Sequence, residues 1–177
     1  VEKREALLHE GDHRLYFIDL PGTYGLCSLA AEELVTRQYL ESEHPDVIIN
    51  VVDATQLERQ LALTFQLLEY RIPMMLVLTM ADELERLGKA INIDALSEFL
   101  GVSVMAINAT RNESRETLIE KIMRVHQEKK IPRPIVFSDD LENVIQIVSE
   151  GITSTKKDTS SYRKQGIQLL EDDHSLH

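Results

Sequence analysis

Leu15-Tyr16-Phe17-Ile18-Asp19-Leu20-Pro21-Gly22 is the stretch that decides the fold. An apolar, strand-forming run ends in an aspartate, and a glycine follows three residues later. A carboxylate at a strand end can hold a metal-bound water. A glycine beyond it lets a backbone N–H approach a phosphate with no Cβ in the way. Asp-x-x-Gly alone recurs in many strand-to-loop turns, so the order of elements around it carries the argument.

Upstream, residues 4–9 and 14–18 read as a hairpin about Gly11-Asp12. Downstream, a helix is expected over 30–41. Val47 to Val52 is a nearly continuous β-branched run, which predicts a strand buried on both faces. Residues 56–69 read as a helix with Leu57, Leu61, Phe65 and Leu68 on one side. A second buried strand covers 74–78. A short helix over 93–100 is stopped by Gly101, and a third central strand covers 102–107. The next helix is expected to start near Ser114 as N-cap, with Leu118, Ile122 and Val125 on one face. Strands alternating with helices predict a doubly wound, mostly parallel α/β sheet with its ligands at the carboxyl ends of the strands. Pro132 and Pro134 mark a boundary. It divides a domain over residues 1–130 from a helical extension over 131–177. In the extension, Leu141, Val144, Ile145 and Val148 form an amphipathic helix, and a second helix is expected near 162–171.

The 177 residues suffice for one such domain with an appendage. A formal net charge of −11 argues against a nucleic-acid surface, which needs a basic patch. No apolar run approaches the roughly 20 residues that cross a bilayer, and no signal peptide is expected. The single cysteine, Cys27, fits a reducing, cytoplasmic setting. The six histidines are scattered and read as surface residues.

Two further strand ends carry chemistry. The 74–78 strand runs into Thr79-Met80-Ala81-Asp82. P-loop GTPases have Asn-x-x-Asp there, and the aspartate accepts from two guanine nitrogens, a donor pair adenine lacks. Asp82 is correctly spaced. Thr79 departs from the pattern, since a hydroxyl cannot replace an amide that both donates and accepts. The last strand leads into Asn108-Ala109-Thr110, a loop whose N–H groups would meet the guanine oxygen.

Together these words resemble the FeoB family, ferrous-iron transport protein B, in its N-terminal cytosolic GTPase domain. The matching phrases are Val1-Glu2-Lys3, Asp19-Leu20-Pro21-Gly22-Thr23-Tyr24, Pro45-Asp46-Val47, and Asn50-Val51-Val52-Asp53-Ala54-Thr55-Gln56-Leu57-Glu58-Arg59, followed by Leu67-Leu68-Glu69 and Ile72-Pro73. The likeness covers residues 1–125 well, and residues 136–177 resemble more loosely the helical domain that follows in the family. It implies a Ras-like P-loop GTPase fold, with GTP or GDP and Mg2+ as ligands and potassium as a further cation. It also implies a membrane-embedded iron-transport domain in the same polypeptide, placed at the cytoplasmic side of the inner membrane, and no nucleic-acid partner.

Residue by residue, the resemblance puts Asp19 on magnesium through water and the Gly22 amide at the γ-phosphate. Leu20 and Pro21 shape the turn between them. Asp82 reads guanine with Thr79 beside it, Met80 and Ala81 line the base, and Asn108, Ala109 and Thr110 cover its oxygen. Val1 and Glu2 close the edge of the site. Thr23 stands where Ras-like proteins carry a water-orienting glutamine, so slow hydrolysis is expected and no catalytic residue is assigned. The family's phosphate loop and first switch would lie upstream of Val1, and no Gly-x-x-x-x-Gly-Lys occurs in residues 1–177. The family strand that leads to that loop lies between those at 14–18 and 47–52. Two unpaired strand edges are therefore expected there, with the chain read as part of a longer polypeptide.

The helix over 30–41 carries Glu32, Glu33 and Arg37 and reads equally as a relay to a membrane domain or as a solvated amphipathic helix. Glu58 and Arg59 read as helix-end charges in preference to a contact with the Asp-x-x-Gly loop. Two alternatives to the regulatory GTPase are a non-enzymatic pseudo-GTPase interaction module and a GTPase of RNA or ribosome maturation.

Overall fold

Successive residues of a strand point to opposite faces, and the strand at Met74–Thr79 is apolar on both. It therefore needs cover on each side, and the chain supplies it. The computed structural model describes residues 4–26, 30–107, 112–152 and 163–167. Its elements are β1 (Arg4–Glu10), β2 (His13–Asp19), α1 (Ala31–Ser42), β3 (Ile48–Asp53), a 3-10 turn (Ala54–Gln56), α2 (Leu57–Leu68), β4 (Met74–Thr79), α3 (Ala81–Arg86), α4 (Ile93–Leu100), β5 (Ser103–Ala106), α5 (Asn112–Glu128) and α6 (Asp139–Ile152). Residues 163–167 form a further helical turn.

Strand β4 lies between β3 and β5 in a three-stranded parallel sheet. Its Met74, Leu76 and Leu78 face one core with Leu67 and Leu68 of α2 and Leu100 of α4. Its Met75 and Val77 face a second core with Ile122 and Val125 of α5. Helices thus cover both faces, as the alternation of elements predicts. Each fully buried leucine here is worth about 1.5–3 kcal/mol relative to exposure.

Strand β3 differs from its expectation. Ile48, Asn50 and Val52 are buried, but Val51 is 60% exposed. The β-branched run forms the strand, yet its second face is covered only in part: Ile49 packs half-buried against the second core, while Val51 is left bare. On the buried face Asn50 Nδ2 donates to Thr64 Oγ1 of α2 at 2.8 Å, so the buried amide is not left unpaired.

β1 and β2 pair antiparallel about a two-residue turn opened by Gly11, whose φ of +56° suits a residue without Cβ. This hairpin is a sheet of its own, with no ladder to β3. The sheet is therefore split, as the two unpaired edges of the sequence reading anticipate. A cleft of about 700 Å3 separates the halves, lined by residues of β2, the Asp19–Gly22 loop, β3 and the end of α1.

The helix ends follow local chemistry. Asn92 caps α4 by accepting from Ala95 N at 3.0 Å, and Gly101 closes it at φ +68°. Ser114 is not a cap, because α5 already starts at Asn112 and has Ser114 in its first turn. Serine suits that first turn as well as the cap, so the type alone left the start two residues loose.

The helical turn at 163–167 is fastened to the sheet domain. Arg163 meets Glu69 just beyond α2 and Glu142 of α6, and donates to Ile135 O at 3.0 Å. Lys164 Nζ lies 2.8 Å from Glu41 of α1 and 4.1 Å from the Tyr70 ring centre.

Candidate functional site

Strand β2 delivers Asp19, exposed, to the rim of the cleft. Leu20 and Pro21 turn the chain half-buried, and Gly22 emerges exposed. A Cβ on Gly22 would meet nothing within 4 Å, so its backbone is open to a ligand. Gly22 and Thr23 also line a second cleft of about 300 Å3, with Asn50, Val51 and Val52 of β3 and Gln60 and Leu63 of α2. The Asp-x-x-Gly loop therefore sits beside the carboxyl-terminal half of β3.

Beyond Gly22 the loop closes on itself and on α2. Thr23 Oγ1 donates to Gly25 O at 2.5 Å, and Gly25 N returns to Thr23 Oγ1 at 3.3 Å. Leu26 N donates to Gln66 Oε1 at 2.6 Å. The Arg59 guanidinium stacks 4.5 Å from the Tyr24 ring centre. This corrects the reading of Arg59 as a helix-end charge: it contacts the loop. A planar guanidinium stacks on an exposed aromatic at little desolvation cost, which charge and helix position alone do not reveal.

The end of β4 lies next to the end of β3 in the parallel sheet, with Asp53 of β3 opposite Thr79 of β4. Asp53 accepts from Thr55 N at 2.8 Å and Thr55 Oγ1 at 2.7 Å, capping the 3-10 turn, while its own N–H donates to Gln60 Oε1 at 2.9 Å. Thr79 Oγ1 donates to Val52 O at 3.3 Å, tying β4 back to β3. Met80 takes the left-handed conformation at φ +57° and is exposed. Asp82 lies exposed in the first turn of α3.

One expectation changes here. The sequence reads Thr79–Asp82 as a loop, but α3 starts at Ala81. Ala81 is half-buried and packs against the core. Its methyl is apolar, and the helix start turns it inward.

The third strand end stops at Ala106, with Ile107 N donating to Leu78 O at 2.8 Å. Asn108, Ala109 and Thr110, like Val1 and Glu2, lie outside the described residues. The structure thus brings together the loop from β2 with β3, and the ends of β3, β4 and β5 with one another. Gln60 and Gln66, which hold these segments, were missed by sequence reasoning. Their signal was modest: two glutamines on a helix whose other inward positions are mostly apolar.

The shifted titrations lie away from these loops. Burial pushes the Glu69 carboxyl up despite the Arg163 charge, while hydrogen bonding to Arg163 holds Glu142 down.

A family model described as Ferrous iron transport protein B matches residues 1–122. The chain belongs to this family. It is 36% identical over 182 residues to an Fe(2+) transport protein A/Fe(2+) transporter FeoB fusion protein of Porphyromonas gingivalis, covering 99% of this chain. It is 37% identical over 174 residues to an Fe(2+) transporter FeoB of Helicobacter pylori, covering 92% of this chain. The chain spans 22% and 27% of those relatives' lengths. Among solved structures, the cytosolic domain of L. pneumophila FeoB superposes with TM-score 0.85 at 28% identity, covering 99% of this chain and 72% of that one. An mGMPPNP-bound NFeoB from S. thermophilus superposes with TM-score 0.78 at 38% identity, covering 99% and 65%. The α/β fold expected from the strand and helix order is that of these FeoB domains. The match gives no support to the RNA-maturation alternative.

Proposed function

We propose that this chain is the guanine-nucleotide-binding, regulatory part of a ferrous-iron transporter. It binds GTP and GDP with Mg2+ and hydrolyses GTP slowly. It acts at the cytoplasmic side of the membrane on an iron-transport domain of the same polypeptide. The observation that carries the reading is that the Asp19–Gly22 loop lies beside the carboxyl-terminal half of β3, the strand whose end pairs with Thr79 at the head of the Thr79–Asp82 segment. Ligands of open α/β sheets bind at such ends.

In this reading Asp19 holds a magnesium-bound water and Gly22 N–H meets the terminal phosphate. Asp19 fits the role, since it is exposed on the cleft rim with Gly22 unobstructed three residues on. The metal supplies charge neutralisation for the phosphates. Asp82 accepts from the guanine edge, Met80 and Ala81 pack beside the base, and Leu20 and Pro21 set the turn. Thr79 serves by bracing Val52, and Asn108, Ala109, Thr110, Val1 and Glu2 complete the rim. Potassium is a second cation of the same site. Residues 1–130 form the nucleotide domain and 131–177 an extension that tunes nucleotide release through its ties to α1 and α2. The GDP- and mGMPPNP-bound states in the names of related FeoB structures support the choice of ligand.

Calorimetric titration of GDP and ADP into the gene's full product, with Mg2+ and with either K+ or Na+, tests this. Guanine-selective binding is expected. Equal or absent binding of the two would overturn the reading.

A further inference from the structure

Helix α2 grips the far side of the Asp19–Gly22 loop. Gln66 Oε1 accepts the Leu26 N–H at 2.6 Å, and Leu26 is 1% exposed, so without that acceptor the amide would be buried unpaired. Arg59 adds its stack on Tyr24. Between these two points Thr23 and Gly25 are closed into a tight turn. A Cβ on Gly25 would touch Gln66 Oε1 at 3.4 Å, whereas one on Gly22 would meet nothing. The loop has a fixed foot and an open tip.

We propose that Gln66 is a positioning residue for Gly22. By holding Leu26, it fixes where the Gly22 N–H is presented and so sets the preference for a nucleoside triphosphate over a diphosphate. This rests on the nucleotide reading above. Only the triphosphate carries the terminal phosphate that Gly22 would meet. Loosening the foot therefore weakens triphosphate binding and spares diphosphate binding. A role in packing alone would lower stability without changing the ratio of the two affinities.

The test uses the gene's full product with Mg2+, GDP and a non-hydrolysable GTP analogue, together with amide exchange at Leu26. Gln66→Met should speed Leu26 exchange and lower analogue affinity relative to GDP by about tenfold, the scale of one lost hydrogen bond. Gln66→Glu keeps an acceptor and should restore both readouts. Arg59→Ala, an exposed change that leaves folding intact, should lower the ratio in the same direction by less. Faster exchange with an unchanged ratio would overturn the positioning role and leave the nucleotide reading standing. Unchanged exchange in Gln66→Met would overturn it too. An unsubstituted protein that binds neither nucleotide would remove both proposals.

Discussion

Arg163 Nε lies 3.3 Å from the carboxylate of Glu69, across 94 residues of chain. The same guanidinium forks onto Glu142 and caps Ile135 O. One cation thus joins α6, the segment before it and the end of α2. Burial opposes the Arg163 charge, but Glu142 and Glu69 outweigh it and push its pKa up. Of the two acids, Glu69 is the more deeply buried.

Arg163→Met should destabilise the protein by about 2–3 kcal/mol at pH 7, because it leaves a buried carboxylate without its cation. The loss should shrink at acid pH. Glu69 already has its pKa raised from the usual 4.5 by burial, and without Arg163 it rises further. A carboxyl whose folded pKa is raised stabilises the fold below its unfolded value and loses that contribution as pH climbs through the folded value. Urea unfolding of both proteins at pH 5 and pH 7 measures the difference, and a pH-independent loss would contradict the account.

Asn50 and Thr64 form a buried pair, so removing one member should cost more than removing both. Thr64→Val should cost about 1–3 kcal/mol by stranding the Asn50 amide. The double variant Asn50→Leu, Thr64→Val should recover part of that loss. Chemical denaturation of these two variants and of the single variant Asn50→Leu completes the cycle.

Gly101 closes α4 at φ +68°, and a Cβ there would meet nothing within 4 Å. Any cost of Gly101→Ala is therefore conformational and should be about 1 kcal/mol. Thermal unfolding should show a modest fall in Tm, with no change in nucleotide titrations.

Thr79 spends its hydroxyl on Val52 O, which leaves guanine selection to Asp82 in the proposed site. Asp82→Ala should lower GDP affinity of the gene's full product by about 2–3 kcal/mol, the scale of charge-assisted hydrogen bonds, with little effect on ADP. Thr79→Asn should move GDP affinity the other way by up to about tenfold, one added hydrogen bond. Parallel calorimetric titrations of GDP and ADP compare them.

Much of the fold was legible because period and punctuation agree. The β4 run, the α2 leucines and the Asn92-to-Gly101 helix are each encoded within a few neighbouring residues. The exposure of Val51 was not legible, because β-branched residues favour a strand whether its second face is covered or bare. Helix α3 was missed because six residues carry too little periodic signal to separate from the loop motif they overlap. The Arg59 stack on Tyr24 depends on two segments meeting, so no spacing rule announces it.

The sequence by itself determined the order of strands and helices, the motif-bearing strand ends and the kinship with FeoB. These rest on local backbone preference and on word-like strings that survive without coordinates. Only the tertiary structure decided that Gln66 and Arg59 hold the Tyr24–Leu26 segment beyond Gly22, and that Arg163 reaches Glu69. Each of those is a contact between segments far apart in the chain, and the Gln66 and Arg163 contacts are selected by which buried polar groups need partners once the cores have closed.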